Sequence, residues 1–274
     1  MRDCFRRVLL ALILVLTTGC SMVKLGYDQA DLVARWWFSR QLDLNSSQSA
    51  WLKQELQRYH AWHRQTQLPG YGELVAVVAR QSEGDVTPGQ TCDNIDAAAE
   101  QVDILLKQAV PTLAGLARQL EPAQIQHLQR RFSEEDREWR EKWLDVSAKQ
   151  LAEDRLEEWT ERSEFFYGHL SATQKQAIRD AIARSALDPK ISWMLRQRRQ
   201  EDILATLEKI RKTKPSPTLA EAEIRALMER ALHPDDPIGA EMRRDLVNEA
   251  CANAAAMHKL ATLRSEEHTS ELQS

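Results

Sequence analysis

Apolar residues recur at the spacing of an α-helix along most of this chain, and this pattern constrains the fold more than any other feature. No segment alternates apolar and polar residues over several positions, as a strand with one buried face would. The periodic segments run over 48–66, 95–120, 125–146, 151–170, 174–185, 190–212, 219–232 and 239–263. The sequence therefore predicts an all-α fold, a single multi-helix array or bundle of about eight amphipathic helices.

The predicted helices are separated by short turns, and one of their starting motifs recurs. Pro69–Gly72 has the composition of a turn. The form Leu-x-x-x-Gln occurs at 44–48, 120–124 and 170–174, and Thr87–Gln90 shares its latter part. In a capping box, the cap side chain accepts a hydrogen bond from the backbone N–H three residues on, while the glutamine accepts one from the N–H of the cap residue. The same motif resembles that of small helical periplasmic chaperones, so ordinary capping and client binding both remain open.

The first twenty residues are typical of an export signal. A basic start leads into an apolar run from Val8 to Leu16, then three small residues and Cys20. A helix needs about 20 apolar residues to span a bilayer, so this run is too short to be a membrane span. The layout resembles a bacterial lipoprotein signal, which implies that residues 1–19 are cleaved and that Cys20 carries the lipid. Ser21, where an aspartate would favour the inner membrane, implies outer-membrane anchoring facing the periplasm.

The rest of the chain divides into three predicted segments. Residues 20–43 form an anchor-proximal segment, and residues 44–263 form the helical domain. Residues 264–274 resemble a translated sequencing adapter and are expected to be an artefactual tail that truncates the C-terminal helix. Trp36 and Trp37 lie in the anchor-proximal segment. Adjacent helical residues point about 100° apart, so one ring is available to a partner or the membrane surface unless each packs on a different helix.

The charge and cysteine content narrow the classes of function. A formal net charge of −4 gives no basic footprint, so no nucleic-acid partner is expected. Of the four cysteines, Cys4 leaves with the signal and Cys20 is lipidated. Cys92 and Cys251 then remain in an oxidising compartment, where we expect them to form a disulfide. The alternative is two unpaired structural cysteines.

Few side chains offer chemistry. His60 and His63 are three residues apart and could share a metal ion on one helical face, but a metal site needs a third ligand from elsewhere. The basic cluster Arg196–Arg199 could contact phosphate or anionic lipid, or it could be an ordinary charged helix face. The chain contains no Gly-rich phosphate loop, no His-Glu-x-x-His and no Gly-x-Ser-x-Gly motif. The sequence therefore gives no motif in support of an enzyme. Beyond the lipid on Cys20, no cofactor is expected.

Several segments together resemble an uncharacterised family of all-helical lipoproteins from Gram-negative bacteria. They are Leu25–Tyr27, Trp36-Trp37, Tyr59–Arg64, Gly84–Pro88, Trp139–Leu144 and Arg198–Gln200. The resemblance implies a lipid-anchored envelope protein and supplies no activity. We therefore expect a non-enzymatic protein that binds an envelope partner or has a structural role. The alternatives are chaperone-like client binding and a metal-dependent hydrolase at His60 and His63.

Overall fold

The computed structural model describes residues 26–233 and 235–271, with side chains up to residue 261, so Cys20 lies outside the described part. That part contains helices and no strand, which confirms the all-α class. It holds ten helices with defined bounds, so the expected number of about eight is wrong. None of these helices has the length and apolar content needed to cross a membrane.

The ten helices have defined bounds in the described part of the chain. They are α1 (Ala30–Leu42), α2 (Ser46–Thr66), α3 (Leu68–Gln81), α4 (Pro88–Ala117), α5 (Pro122–Trp143), α6 (Ala148–Tyr167), α7 (Ala172–Arg184), α8 (Pro189–Thr213), α9 (Pro217–Leu232) and α10 (Pro237–Glu271). The last helix therefore extends into the segment predicted to be an artefactual tail, and the origin of that tail stays a prediction.

The two helices that the sequence did not predict are α1 and α3. The turn expected at Pro69–Gly72 is wrong, because α3 begins at Leu68 and includes these residues. A proline in the first turn of a helix loses no intrahelical hydrogen bond, since the first N–H groups have no partner within the helix. Gln67 alone lies between α2 and α3, and its backbone stays in the right-handed helical region, at φ −101° and ψ −39°.

The chain divides into two compact units, residues up to 64 and residues from 65 onwards. The first contains α1 and nearly all of α2, which are joined through Asp43 in the left-handed region at φ 48°. Leu42 and Leu52 are buried in this unit. Tyr27, ahead of α1, contacts α2 through His60 and His63.

The second unit is built around α4, which packs against α9 and α10. Its central cluster consists of small and branched side chains from α4, α8 and α9, namely Val110, Ala114, Ala117, Ile210, Ala220 and Ile224. The disulfide between Cys92 and Cys251 ties the start of α4 to the middle of α10, as the sequence predicted. Closing a loop of 159 residues would stabilise the fold by about 5 kcal/mol on the chain-entropy estimate.

A polar network joins α5 to α8. The carboxylate of Asp136, largely buried, accepts hydrogen bonds from Arg196 Nε at 2.6 Å, Gln197 Nε2 at 2.7 Å and Gln200 Nε2 at 2.8 Å. Beside it, the indole rings of Trp139 and Trp193 stack with centroids 5.4 Å apart. The Asp136 carboxylate and the ring stack are thus central contacts between two helices with strongly charged faces.

The recurring glutamines are capping residues. Gln124 and Gln174 complete capping boxes with Glu121 and Ser171, and Gln90 does so with Thr87. Gln48 makes the same reciprocal pair with Asn45, whose N–H donates to Gln48 Oε1 at 3.0 Å while Gln48 N donates to Asn45 Oδ1 at 2.9 Å. The predicted hydrogen bond from the cap N–H to the glutamine side chain is therefore confirmed at all four positions.

Candidate binding groove

An open groove of about 690 Å³ lies between α6, α7 and α10. Its lining is mainly apolar and aromatic, with a few charged residues at the edge. Among its lining residues are Trp159, Phe166, Tyr167, Ile178, Ala254 and Met257. A volume of this size suits a ligand or a few side chains of a partner, since binding pockets commonly enclose about 300–1,000 Å³.

The floor of the groove is a hydrophobic cluster. Ile178 and Met257 are buried there, with Trp159 and Tyr167 packed against them. Burial raises the pKa of the Tyr167 phenol above its ordinary value. The facing side of α10 is rich in alanine, with Ala254 among the lining residues. Short side chains on one wall and aromatic rings on the other leave the space between them unfilled.

Phe165 and Phe166 stand at the end of α6 and are the most exposed large apolar side chains of the described residues. Phe165 is 84% exposed and Phe166 is 78% exposed, and their rings meet edge to face at 5.0 Å. Phe166 lines the groove and Phe165 does not. Phe166 falls within the periodic segment 151–170, yet its ring is exposed and does not face the core. The signal that would have revealed it is the adjacency of two large aromatics, since both cannot face one core.

The edge of the groove is charged. Arg162 and Arg184 lie there with Asp180. Arg162 forms an ion pair with Glu158 at 2.5 Å, and Asp180 accepts a hydrogen bond from Gln176 at 2.9 Å. Among the described residues, the Arg184 guanidinium has no carboxylate within ion-pairing distance. The groove therefore offers an apolar floor with a cation available at its edge.

Trp36 and Trp37, singled out from the sequence, are both exposed in the first unit, at 58% and 49%. Leu32 and Val33 are exposed one turn earlier on the same helix. The Arg40 guanidinium lies 5.5 Å from the centre of the Trp36 ring. These residues form an apolar stripe on α1, and its contact with a partner or a membrane stays a prediction.

His60 and His63 lie on α2 and are engaged by Tyr27. The Tyr27 hydroxyl is hydrogen-bonded to His63 Nδ1 at 2.9 Å, and the Tyr27 ring lies 4.6 Å from that of His60. Burial, and then the charge of His60, lower the pKa of His63. His60 Nε2 is buried without a hydrogen-bond partner. Throughout the described residues, no three His, Cys, Asp or Glu side chains are grouped so that they could hold a metal ion.

Comparison with curated proteins and with solved structures finds no match. Comparison with protein families does find one, over residues 40–234. This range covers well over half of the chain, from the end of α1 to the turn before α10, and includes α6 and α7 of the groove. The chain therefore belongs to DUF6279, a family of unknown function.

Proposed function

We propose that this protein is a non-enzymatic lipoprotein, anchored through Cys20 in the outer membrane and facing the periplasm, that binds another envelope protein in the groove between α6, α7 and α10. The groove with Phe166 exposed at its edge is the observation that carries this proposal. An exposed aromatic beside a preformed apolar recess is the arrangement that protein interfaces bury at their centre.

The chemistry of the groove specifies the kind of partner. Its floor takes apolar side chains, and Arg184 at its edge takes a carboxylate. The complementary ligand is a protein segment that presents two or three apolar side chains next to an aspartate or glutamate. A helix with apolar residues at i, i+3 and i+4 fits this description.

The stripe on α1 supports the placement at the membrane. Trp36 lies sixteen residues after Cys20, and an indole ring is favoured at the membrane–water interface. Several acyl chains on Cys20 would hold the protein durably, since one chain alone anchors only marginally. We propose that the stripe lies against the lipid headgroups or against a partner close to the membrane.

The experiment is site-specific photocrosslinking in cells that express the full chain from the native gene. A photoreactive residue replaces Phe166, and a matched one replaces Gln126, which is exposed on α5 and does not line the groove. We expect a discrete adduct with one envelope protein from position 166 and not from position 126. An adduct with phospholipid, an adduct with a second copy of this chain, or identical products from both positions would contradict the proposal.

Binding to the identified partner then gives a quantitative test. Full burial of a phenylalanine side chain contributes about 1.5–3 kcal/mol, and Phe166 retains 78% of its surface for burial in a complex. Phe166→Ala is therefore expected to weaken the complex about tenfold or more. Phe165→Ala is the matched control, because Phe165 is equally exposed but does not line the groove, and its effect should stay within about twofold.

The chaperone-like alternative was motivated by the Leu-x-x-x-Gln motif. Gln48, Gln124 and Gln174 are buried and bonded to the backbone N–H of their own cap residues, so helix capping accounts for the motif. A chaperone would suppress aggregation of many unfolded clients at equimolar ratio, whereas the proposed protein binds one partner. The hydrolase alternative has no observation in its favour beyond the pair His60 and His63.

A further inference from the structure

We propose that a recess between α8, α9 and the start of α10 binds a phosphate group through Arg199 and Arg243. The recess has a volume of about 340 Å³, and four arginines and three aspartates line it, namely Arg198, Arg199, Arg230, Arg243, Asp202, Asp235 and Asp236. It shares no lining residue with the groove and does not depend on the function proposed above.

Two of the three aspartates of the recess, Asp202 and Asp236, are already engaged, whereas Asp235 forms no ion pair with a described side chain. Arg230 donates to both oxygens of Asp202, each at 2.8 Å, in a bidentate pair. Asp236 accepts from Gly239 N at 3.1 Å at the start of α10, and Arg198 Nη1 lies 3.6 Å from its other oxygen. Asp235 interacts with the charge of Arg230. Arg199 and Arg243 are thus the two arginines of the recess that form no ion pair with a described carboxylate.

Neither of these two guanidiniums has a counter-ion. Within the side chains that the structure describes, no carboxylate lies within ion-pairing distance of Arg199 or Arg243. Arg243 Nη1 donates to the carbonyl of Leu232 at the end of α9, which fixes its position and leaves its other N–H donors available. Partial burial, then the positive charges of Arg196 and Arg243, lower the pKa of Arg199. An anion bound between Arg199 and Arg243 would relieve this repulsion.

The geometry favours phosphate over other anions. Guanidinium groups match the oxygens of phosphate in paired, charge-assisted hydrogen bonds. A dianionic phosphate monoester would compensate the charges of both guanidiniums, and a monoanionic phosphodiester, as in a lipid headgroup, would compensate one while still offering an oxygen to each guanidinium. The volume exceeds that of a phosphate ion alone, so the recess admits a phosphorylated group such as glycerol phosphate, either free or as a lipid headgroup.

The test is calorimetric titration of the full chain, purified in neutral detergent and phosphate-free buffer. The probes are inorganic phosphate, glycerol 3-phosphate, and phosphatidylglycerol added to the detergent micelles. The double variant Arg199→Gln/Arg243→Gln should weaken binding at least tenfold, because it removes two charge-assisted contacts. Arg244→Gln, an exposed neighbour on α10 outside the recess lining, makes the same kind of charge change and should alter binding less than twofold.

If the wild-type protein binds the two soluble probes saturably and the double variant does not, the site is supported and its ligand is a free phosphate compound. Binding of phosphatidylglycerol alone, again lost in the double variant, supports the site with a lipid headgroup as its ligand. Binding of no probe, or equal binding by the wild-type protein and the double variant, overturns the proposal. Thermal melting checks the folding of the variants, and removing two mutually repelling charges should not lower the melting temperature.

Discussion

Asp136 offers the sharpest test of what holds α5 against α8. Its carboxylate accepts hydrogen bonds from Arg196, Gln197 and Gln200, with Oδ1 shared by Arg196 and Gln200 and Oδ2 bonded to Gln197. Asp136→Asn preserves the shape of the side chain but replaces one carboxylate oxygen with an NH2 group. If the new NH2 group takes the place of Oδ2, it faces Gln197 Nε2, so two hydrogen-bond donors meet without an acceptor. The negative charge that balances Arg196 is also lost.

The magnitude follows from the contacts. One charge-assisted hydrogen bond to a largely buried carboxylate is worth about 1.5–3 kcal/mol, and the two remaining bonds lose their charge assistance. The nearest other carboxylate to Arg196 is that of Glu135, at 3.7 Å. We therefore expect Asp136→Asn to lower the free energy of unfolding by about 2–4 kcal/mol. Asp136→Ala, which leaves the cation without its main partner, should lower it by about 3–5 kcal/mol.

The assay is urea unfolding followed by tryptophan fluorescence, because Trp139 and Trp193 stack beside this network and report on the α5–α8 contact. Asp145→Asn is the matched control. Asp145 also pairs with an arginine, Arg140, but at 3.4 Å and half exposed, so its loss should be under about 1 kcal/mol. If Asp136→Asn and Asp145→Asn shift the unfolding free energy equally, the reasoning that this network secures the joint is refuted.

Three further predictions concern the disulfide, the caps and pH. Replacing Cys92 and Cys251 with alanine should lower the free energy of unfolding by about 2–5 kcal/mol, measured by urea unfolding under oxidising conditions. Gln174→Ala should destabilise the start of α7 by about 1 kcal/mol, seen as faster amide hydrogen exchange at the first turn. Hydrogen bonds from Arg211 and the lysine that follows it lower the pKa of Glu208 to about 2. Because this pKa lies below its ordinary value of 4.5, the ionised Glu208 carboxylate stabilises the folded state. This stabilisation is present above about pH 4.5 and is lost as the pH falls towards 2. NMR titration of the carboxyl group would measure the pKa.

The capping boxes and the disulfide were predicted correctly because each could be inferred from residues close in sequence or by excluding the other cysteines. A capping box involves residues three apart, so the glutamines at 48, 90, 124 and 174 could be placed without knowing what the helices pack against. The disulfide followed from assigning the other two cysteines to the signal and to the lipid. Neither inference needed the tertiary arrangement.

The features that were missed depend on packing between distant segments. The groove exists because an alanine-rich face of α10 lies opposite the aromatic residues of α6, about ninety residues earlier in the chain. The recess near Arg199 depends on which carboxylates reach which arginines across three helices, and Asp202 and Asp236 pair with Arg230 and Arg198 instead. Periodicity alone gives the direction of a side chain within its helix and not the surface that it meets.

Adjacent aromatic residues provide one rule that works from the sequence. Neighbouring side chains on a helix diverge by about 100°, so a helix that packs one face against a core must turn at least one of two adjacent rings away from it. The chain has one run of three adjacent aromatic residues in each unit, Trp36-Trp37-Phe38 on α1 and Phe165-Phe166-Tyr167 on α6, and in each run the first two rings are exposed while the third is partly buried. The third ring is the one that packs inward, as Tyr167 does on the groove floor, so the two rings before it are turned towards solvent. Adjacency therefore identifies from the sequence alone which segments expose aromatic rings, and the groove lining then singles out Phe166 as the ring of α6 on which the proposed protein ligand would depend.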